Sequence, residues 1–448
     1  MQTKRFFLKK LSSKYANSNY LSWFSNDDVK KFILAAKNKI NLDELKKFIK
    51  DNNSKKNTLL FGIFSKKQKH IGNIKFDKID KKNNSVLLGI LIGDLAYRRK
   101  GVATEIINFF SKYFYFQYNI SNIFLGVDKK NLIAIKTYKK MNFKIVTQKK
   151  SNKNSFLMCK RYNFEEKIII GTAQFIDNYG INRIKEKITL NQKNKIIKHS
   201  IKNNFNYFDT SNSYSDYSNV FNKYDNHKII LKLYPEENIK DYKFWINKQI
   251  TKYQKTFNIK KFYAIILHNE NFLRSPDFNV FNKLLIDLKK RHITEKIGIS
   301  IYNFTNILKN VKKYKFDIVQ CPFSLIDQRL IENNLLDKLK KFGIEIHVRS
   351  IFLQGLLLKK NIDPYFFKWK HIFSYLKKWK KNNYLSNIEG GLFFILNYPM
   401  IDKIIIGIEN TNQIEQLNEA IIKYRYIDYP KSLKCSNINL INPTNWVI

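Results

Sequence analysis

The sequence contains few cysteines, and they are too far apart to form a structural framework. Three occur in 448 residues, at Cys159, Cys321 and Cys435, with no Cys-x-x-Cys pair and no histidine cluster beside them. Disulfide-rich domains and structural zinc sites both require closely spaced sets of such residues. We therefore expect neither a disulfide framework nor a metal site, and the cysteine usage fits a reducing compartment.

Long apolar runs are also missing. No stretch reaches the roughly 18 uncharged apolar residues of a membrane-spanning helix. The nearest, residues 390–401, is interrupted by Asn397 and Pro399 and is predicted to be a buried helix. The first fifteen residues contain only three consecutive apolar residues, too few for the core of a signal peptide. These absences predict a cytoplasmic, soluble protein with no membrane partner.

Acidic residues are outnumbered: 36 Asp and Glu stand against 82 Lys and Arg, a formal net charge of +46. Such an excess can attract nucleic acid. The lysines are spread over the whole length, however, and the abundance of Lys, Asn, Ile, Phe and Tyr is typical of an AT-rich coding sequence. Residues 366–384 interleave aromatic residues and lysines at helical spacing, which favours an amphipathic helix over a nucleic-acid surface. We expect no nucleic-acid partner, with a basic nucleic-acid-associated protein as an alternative.

The chain is long enough for two or three domains, and its hydrophobic content of 44% is enough to form cores. In the first third, strands are predicted at residues 4–10, 59–64, 70–76, 85–92, 123–127 and 155–159, and helices at residues 26–33, 42–49 and 134–141. In residues 95–107 a strand is predicted to run into a basic turn containing Gly101, and then into an amphipathic helix. Backbone N–H groups at a helix N-terminus bind anions, and a glycine allows close approach. The turn is therefore a candidate anion site.

This turn and a later segment resemble the GCN5-related N-acetyltransferases (GNAT). The family's Arg/Gln-x-x-Gly-x-Gly/Ala pattern is matched by Arg98, Arg99, Lys100, Gly101, Val102 and Ala103. Asn131, Tyr138 and Phe143 match the family's Asn…Tyr…Gly-Phe ending. Asn142 replaces the usual glycine, and asparagine is the next best residue in a left-handed conformation.

The resemblance implies an α/β domain with a mixed, mostly antiparallel sheet, and acetyl-CoA as its cofactor. The cofactor's pyrophosphate would be held by Arg98, Arg99, Gly101, Val102 and Ala103. Asn131 would contact the cofactor, and Tyr138 would protonate the leaving thiolate. Asp94 is a candidate general base acting through water, although it could equally only cap its turn. Tyr138 could likewise be an ordinary tyrosine of an amphipathic helix.

From about residue 164 the pattern restarts, and strands alternate with helices, which predicts a parallel sheet. Strands are predicted at residues 167–171, 207–209, 228–233, 262–268, 296–300, 317–321, 345–350 and 403–407. Eight such units in about 260 residues are typical of a (β/α)8 TIM barrel, whose chemistry lies at the carboxyl ends of the strands. We therefore predict an α/β chain with domains at residues 1–163 and 164–448.

Four polar residues fall at the ends of neighbouring predicted strands. Asp209 ends the second strand and Tyr214 follows it, whereas Lys232 lies in the third strand and His268 ends the fourth. Taken singly, Asp209 could cap a turn, Lys232 could extend its ammonium to solvent and His268 could be an ordinary strand-end imidazole. Together they are expected to converge on one mouth of the barrel, where a carboxylate and a phenol indicate proton chemistry.

This set resembles the tetrad of the aldo-keto reductases. Six ordered segments carry the resemblance, at residues 170–175, 208–214, 296–300, 319–329, 347–357 and 404–410. Among them, Phe-Asp-Thr-Ser-Asn-Ser-Tyr at residues 208–214 resembles the family's Phe-Asp-Thr-Ala-x-x-Tyr. The resemblance implies that a carbonyl is reduced with a nicotinamide cofactor.

The resemblance also implies a role for each residue. Tyr214 would donate the proton, with its phenolate stabilised by Lys232, because a free phenol is a poor acid. Asp209 would hold the lysine, and His268 would orient the carbonyl. The remaining cofactor contacts would come from Ser300 and Gln320 at the nicotinamide amide, and from Arg349, Ser350, Gly407 and Asn410 in the loops after strands seven and eight.

The cofactor is expected to be NADP or NAD. Strand eight lacks the Lys/Arg cluster that grips the 2′-phosphate in many relatives, and Glu409 stands nearby instead. Arg349 or Lys403 could compensate for the missing cluster. The nucleotide preference therefore stays open at this point.

These inferences predict a bifunctional enzyme, an N-acetyltransferase fused to an NAD(P)H-dependent reductase. Its partners are expected to be small molecules, a carbonyl compound and an amine, with amine-bearing sugar nucleotides of (amino-)sugar or surface-polysaccharide metabolism as candidates. The alternative is that only the reductase is active and the first domain is a binding or regulatory module. The sequence leaves the substrates and the oligomeric state open.

Overall fold

The computed structural model describes residues 1–32, 40–146, 154–176, 188–214, 221, 224, 227–236 and 239–446. The chain divides into two compact units, Met1–Tyr162 and Asn163–Ile448. The last residue of the predicted helix 26–33 lies outside the described residues.

The first unit is built on a sheet in the order β1-β2-β3-β4-β5-β7-β6. Its strands are β1 (Phe6–Lys10), β2 (Leu59–Ser65), β3 (His70–Asp80), β4 (Ser85–Ile92), β5 (Asn122–Asp128), β6 (Lys144–Ile145) and β7 (Ser155–Arg161). Its helices are α1 (Ser18–Ser22), α2 (Asp27–Phe32), α3 (Leu42–Ser54), α4 (Val102–Tyr118) and α5 (Leu132–Lys140). Neighbouring strands are antiparallel except β4 and β5, which are parallel.

Helix α4 packs on this sheet through aromatic residues spaced four apart, the period that places side chains on one helix face. The ring of Phe76 on β3 lies 4.6 Å from Phe110 and 4.5 Å from Phe114, centre to centre. The predicted strand at the start of residues 95–107 is wrong: Leu95–Tyr97 is a short 3-10 helix. The side chain of Asp94 starts this helix by accepting the Ala96 N–H at 2.9 Å.

The second unit is a closed barrel in which all neighbouring strands run parallel. Its strands are β8 (Ile168–Gly171), β9 (Tyr207–Ser211), β10 (Lys228–Leu233), β11 (Phe262–Leu267), β12 (Thr294–Ser300), β13 (Ile318–Pro322), β14 (Glu345–Arg349) and β15 (Lys403–Gly407). Its helices are α6 (Leu190–Lys202), α7 (Tyr242–Phe257), α8 (Phe278–Lys290), α9 (Ile307–Tyr314), α10 (Leu335–Lys341), α11 (Lys370–Asn382), α12 (Asn387–Leu396), α13 (Thr411–Lys423) and α14 (Ile438–Ile441). The predicted fold, a mixed-sheet α/β unit followed by a (β/α)8 barrel, is confirmed.

The longest apolar run and the segment that interleaves aromatic residues with lysines both form helices in the second unit. Residues 390–396 are buried within α12, which ends before Pro399. Residues 366–384 fold as a 3-10 turn followed by α11, with Phe366, Trp369 and Trp379 buried, so the predicted amphipathic helix is confirmed. No helix among the described ranges combines the length and apolarity needed to cross a membrane.

The amino-terminal end of the barrel is filled by charged and aromatic side chains, and several of them pair with Glu345. Glu345, at the start of β14, accepts hydrogen bonds from the Tyr263 hydroxyl at 2.5 Å and from His347 Nε2 at 2.8 Å, and it pairs with Lys296. Burial alone would raise the pKa of Glu345, but the hydrogen bonds from His347, Lys296 and Tyr263 bring it below the usual 4.5. The carboxylate therefore stays charged inside this cluster.

Lys403 belongs to the same end of the barrel. Its Nζ donates to the Glu166 carbonyl at 2.5 Å and lies 3.2 Å from the centre of the Tyr207 ring. Burial lowers the pKa of Lys403 to about 7. The suggestion that Lys403 binds a cofactor phosphate is wrong, because it starts β15 and the length of that strand, roughly 13 Å, separates it from the carboxyl end.

Removing the charge of Glu345 should destabilise the barrel. Glu345→Gln leaves Lys296 without its counter-ion in a mostly buried setting, so we expect a loss of about 2–4 kcal/mol in the free energy of unfolding at pH 7, measured by urea denaturation. The matched control is Glu295→Gln, whose pair with Lys261 at 3.6 Å is over 40% exposed on both sides and should cost less than about 1 kcal/mol.

The contribution of Glu345 to the free energy of unfolding should decrease in acid. Because folding lowers the pKa of Glu345, its contribution is complete above about pH 4.5 and is lost as the pH falls further. The difference between wild type and Glu345→Gln should therefore shrink in acid. Equal stability of the two proteins at pH 7 would contradict this account.

Candidate active sites

Three of the predicted catalytic side chains form one hydrogen-bonded chain at the carboxyl end of the barrel. Asp209 on β9 and Lys232 on β10 are both buried, and Lys232 Nζ lies 2.6 Å from Asp209 Oδ1. The same Nζ lies 3.0 Å from the Tyr214 hydroxyl oxygen. β9 and β10 are paired with Ser211 opposite Lys232, so the loop that carries Tyr214 starts beside the lysine.

The lysine of this chain is held in its charged form. Burial by itself lowers the pKa of Lys232, but the charge and hydrogen bonds of Asp209 and Tyr214 outweigh burial and raise it above 10.5. A buried ammonium is tolerated only where an opposite charge and hydrogen bonds replace its water. Lys232 therefore places a fixed positive charge against the Tyr214 oxygen.

Asp209 is also held from the far side of the barrel. Its Oδ2 accepts a hydrogen bond from Gln320 Nε2 at 2.9 Å, and Gln320 lies on β13, which is not a neighbour of β9. The other amide atom, Gln320 Oε1, is buried and has no hydrogen-bond partner within the described part of the chain. Buried polar atoms are nearly always satisfied, so this acceptor is suited to a ligand N–H.

His268 follows β11 and stands between two tyrosines. Its ring centre lies 5.9 Å from that of Tyr214 and 6.1 Å from that of Tyr234, nearly perpendicular to both. Its Nδ1 lies 3.0 Å from the hydroxyl of Ser211. Burial, with the positive charges of Lys232 and Arg349, lowers the pKa of His268 to about 2. The imidazole is therefore neutral and has a single N–H to donate.

A cavity of about 580 Å³ opens beside the ion pair. One end is lined by Asp209, Tyr214, Lys232 and Gln320. The rest is lined by α12, α13 and the segments after β14 and β15, and includes Arg349, Ser350, Gly407 and Glu409. Seven of these eight residues were predicted from the sequence to be catalytic or cofactor-binding, and Glu409 is the eighth.

Two predicted cofactor residues and His268 do not line this cavity. Ser300 ends β12, opposite Gln320 in register, and is buried. Asn410 caps α13, where its Oδ1 accepts the Gln413 N–H at 3.0 Å. Both therefore lie next to lining residues and not on the cavity wall.

The cavity fits the nicotinamide dinucleotide implied by the resemblance. Its volume lies within the range of roughly 300–1,000 Å³ typical of cofactor sites. Gln320 would hold the carboxamide through its unpaired Oε1, at the end that also carries Tyr214. At Gly407 a Cβ would collide with the terminal amide of Gln174, so a larger residue here would displace that side chain.

Arg349 is one of the cationic side chains that line this cavity. Its guanidinium carbon lies 3.8 Å from the centre of the Tyr302 ring, and Nη2 donates to the Ile301 carbonyl at 2.9 Å. The following residue, Ser350, has a φ of +56°, a conformation that turns the chain sharply after β14. Arg349 and Ser350 therefore both lie on the cavity wall, and their contact with a cofactor diphosphate stays a prediction.

In the first unit the predicted anion turn has the backbone that such a site requires. Gly101 has a φ of +73° and directly precedes α4, and Arg99 has a φ of +58°. Val102 is buried and anchors the first turn of the helix, whereas Ala103 follows it on the helix. Arg98 is tied to the sheet, with Nε donating to the Ile92 carbonyl at 3.0 Å.

This turn is clamped by a residue that the sequence did not single out. Arg5 donates from Nη1 to the Lys100 carbonyl at 2.9 Å and from Nε to Glu105 Oε2 at 2.6 Å. Its Nη2 lies 3.5 Å from the position a Cβ would take on Gly101. The contact spans 95 residues, and no local pattern in the sequence signals it.

β4 and β5, the parallel pair next to this turn, stop pairing partway. Only Ser85–Leu88 of β4 pair with β5, where their partners are Asn122–Leu125. Beyond it, Gly89 and Gly126 have open space where a Cβ would be. The first unit therefore has an opening between two strands close to the anion turn.

The later predicted residues surround α5. Asn131 caps the helix by accepting the Ala134 N–H at 3.1 Å. Tyr138 packs against Phe143 with ring centres 5.6 Å apart, and burial raises its pKa above 10.0, so the phenol is protonated at neutral pH. Asn142 has a φ of +65°, which confirms the left-handed conformation predicted for it.

The candidate base Asp94 is already engaged. Its Oδ1 accepts the Ala96 N–H at 2.9 Å, and its Oδ2 lies 2.7 Å from Lys69 Nζ. Its side chain is only 10% exposed. Asp94 therefore caps its turn and neutralises a lysine.

Two family models match the chain. The model described as "Aldo/keto reductase family" matches residues 167–429, and the model described as "Acetyltransferase (GNAT) domain" matches residues 5–144. No curated protein matches the chain.

Solved structures resemble each unit in fold. An aldo-keto reductase from Bacillus halodurans has a TM-score of 0.48 and 14% identity, covering 58% of this chain and 88% of its own. A glycerol dehydrogenase from Gluconobacter oxydans has a TM-score of 0.47 and 13% identity, covering 62% and 92%. An acetyltransferase of the GNAT family from Bacillus anthracis has a TM-score of 0.32 and 17% identity, covering 36% and 97%.

Proposed function

Because the chain belongs to the aldo/keto reductase family, we propose that its barrel reduces a carbonyl compound to an alcohol with a nicotinamide dinucleotide. We propose further that the first unit transfers an acetyl group from acetyl-CoA to an amine, which makes the chain a bifunctional, cytoplasmic enzyme. The observation that carries the first proposal is the buried chain Asp209–Lys232–Tyr214, with its contacts of 2.6 and 3.0 Å.

The bound dinucleotide supplies the hydride, and the side chains handle the proton. Tyr214 gives its hydroxyl proton to the carbonyl oxygen as negative charge develops there. Lys232 stabilises the resulting phenolate because its ammonium lies 3.0 Å from that oxygen. Asp209 fixes the ammonium, and neutral His268 donates a hydrogen bond that orients the carbonyl.

The first unit is proposed to bind acetyl-CoA along its opening between β4 and β5. The N–H groups of the turn around Gly101 would hold its pyrophosphate, and Arg98 and Arg99 would supply positive charge. Tyr138 is protonated and donates to the departing thiolate. The amine must reach this site in its neutral form or lose its proton to water, because Asp94 is committed to Lys69.

The ion pair between Asp94 and Lys69 also favours a second candidate function. If no group serves as base, the first unit binds acetyl-CoA without transferring acetyl groups and acts as a binding or regulatory module. Isothermal titration with acetyl-CoA, followed by an acetyl-transfer assay on a panel of amines, separates the two. Binding without turnover on any amine supports the module.

For substrates, we propose an amine-bearing sugar nucleotide or a related amino sugar of surface-polysaccharide metabolism. The support is that reduction and N-acylation, both needed to build such sugars, are encoded on one chain. A screen of amino sugars and keto sugars with each cofactor tests it. If the protein instead acts on nucleic acid, its binding should weaken steeply with salt.

The two activities should be separable by single substitutions. Tyr214→Phe removes only the donated proton and should lower the kcat for carbonyl reduction by about 100-fold or more while leaving acetyl transfer unchanged. Tyr138→Phe should do the reverse. Each variant is the matched control of the other, and both are read in the full chain by oxidation of the reduced dinucleotide and by release of CoA thiol.

Full reductase activity in Tyr214→Phe would overturn the proposed proton donor. Unchanged acetyl transfer in Tyr138→Phe would overturn the proposed acid of the first unit.

Glu409 is proposed to favour NADH over NADPH. Tyr214 and Gln320 fix the nicotinamide end of the cavity, so the adenosine must extend towards α13, where Glu409 lines the wall. Gln413 holds this side chain by donating from Nε2 at 3.2 Å, a hydrogen bond that favours the charged carboxylate and opposes the effect of burial on the Glu409 pKa. A 2′-phosphate beside a carboxylate in a half-buried site is repelled.

The preference can be tested by fluorescence titration without any substrate. Glu409→Gln should tighten NADPH binding by about 5- to 10-fold and change NADH binding by less than about twofold. The control is Glu419→Gln, which also lines the cavity but is 65% exposed and paired with Lys423 at 3.5 Å, and should change neither. Tighter binding of NADPH than of NADH by the wild type would contradict the proposal.

A further inference from the structure

Ser211 occupies the place where the aldo-keto reductase pattern Phe-Asp-Thr-Ala has alanine. It is the last residue of β9, is fully buried and lies opposite Lys232 in register. Its hydroxyl oxygen lies 3.0 Å from His268 Nδ1 and 2.9 Å from the Ser213 hydroxyl. A side chain that the pattern lacks therefore touches the imidazole that faces the carbonyl.

Three groups surround the Ser211 hydroxyl: the Ser213 backbone N–H, the Ser213 hydroxyl and His268 Nδ1. The backbone N–H of Ser213 donates to its oxygen at 3.2 Å, so one lone pair is occupied by a fixed donor. The Ser213 hydroxyl, 2.9 Å away, can donate to the second lone pair or accept from Ser211. When it donates, the one proton of Ser211 is left for His268 Nδ1, 3.0 Å away. Ser213 is exposed, so its hydroxyl can exchange partners with solvent, whereas Ser211 is fully buried beside His268.

The position of the imidazole proton matters because His268 is neutral. A neutral imidazole has one N–H and one bare nitrogen, and its tautomer is set by the hydrogen bond of the other nitrogen. A carbonyl oxygen only accepts hydrogen bonds, so it is recognised by the Nε2–H tautomer and not by the Nδ1–H tautomer.

We propose that Ser211 donates its hydroxyl proton to Nδ1 and thereby keeps the proton of neutral His268 on Nε2, ready for a carbonyl oxygen. Ser211 is then a positioning residue that acts through His268. The link to carbonyl recognition rests on the proposed reductase function, whereas the tautomer is a property of the protein without substrate.

The direct test is the ¹⁵N NMR spectrum of the histidines in the full chain, with His268 assigned by its loss in His268→Gln. The wild type should show a protonated Nε2 and a bare, hydrogen-bonded Nδ1. In Ser211→Ala the two ring resonances should move towards each other as both tautomers become populated. Ser213→Ala, which keeps the backbone N–H donor and the Ser211 proton, should resemble the wild type.

Kinetics with glyceraldehyde as the probe carbonyl give the second readout. Ser211→Ala should lower kcat/KM by about fivefold to tenfold, the size of one lost hydrogen bond, with the dissociation constant of NADH unchanged. Ser213→Ala should change kcat/KM by less than about twofold. Thermal unfolding of each variant shows that the fold is intact.

Failure of the Ser211 proposal can be told apart from failure of the proposed reductase function. A protonated Nδ1 of His268 in the wild type overturns the proposal, and so does a Ser211→Ala spectrum identical to the wild type. If the tautomer behaves as expected but the wild type reduces no carbonyl, the proposed reductase function fails while the hydrogen bond from Ser211 stands.

Discussion

The buried ion pair between Asp209 and Lys232 is the constraint on which the carboxyl end of the barrel depends. Two charges taken out of water are tolerated only if each is fully compensated, and the compensation here comes from separate strands. Gln320 reaches across the barrel to the second carboxylate oxygen, and Tyr214 takes the remaining approach to the ammonium. The same positive charge helps to keep His268 neutral. One electrostatic requirement thus sets the position of the phenol and the state of the imidazole.

Each end of the barrel contains a lysine, a carboxylate and a tyrosine, and the set at the carboxyl end borders a cavity. At the amino-terminal end, Glu345 is saturated by Tyr263, His347 and Lys296, and the cluster stabilises the strands. At the carboxyl end the lysine, carboxylate and tyrosine border a cavity, and the amide of Gln320 keeps an acceptor without a partner among the described residues. The difference is the open volume, which turns a structural cluster into a candidate site.

The sequence predicted what depends on local pattern. Strand ends were readable from apolar runs, which placed Asp209, Lys232 and His268 at one end of a barrel. The left-handed conformation of Asn142 was predicted because it replaces the usual glycine of the acetyltransferase pattern. Contacts between distant segments were not readable, as with Arg5 and Lys100 or Ser211 and His268. The suggestion that Lys403 binds the 2′-phosphate of the cofactor is wrong because Lys403 starts its strand, and the cavity lies at the other end. The strand predicted at Leu95–Tyr97 is wrong because Asp94, one possible turn cap in the sequence, caps a 3-10 helix there.

Both compact units lie in one polypeptide, divided between Tyr162 and Asn163. Every molecule that is translated therefore carries one copy of each. The ratio of the two active sites is fixed at one, whatever the level of expression. If both units are active, any imbalance between acetylation and reduction must arise from turnover and substrate supply, because gene dosage cannot alter it.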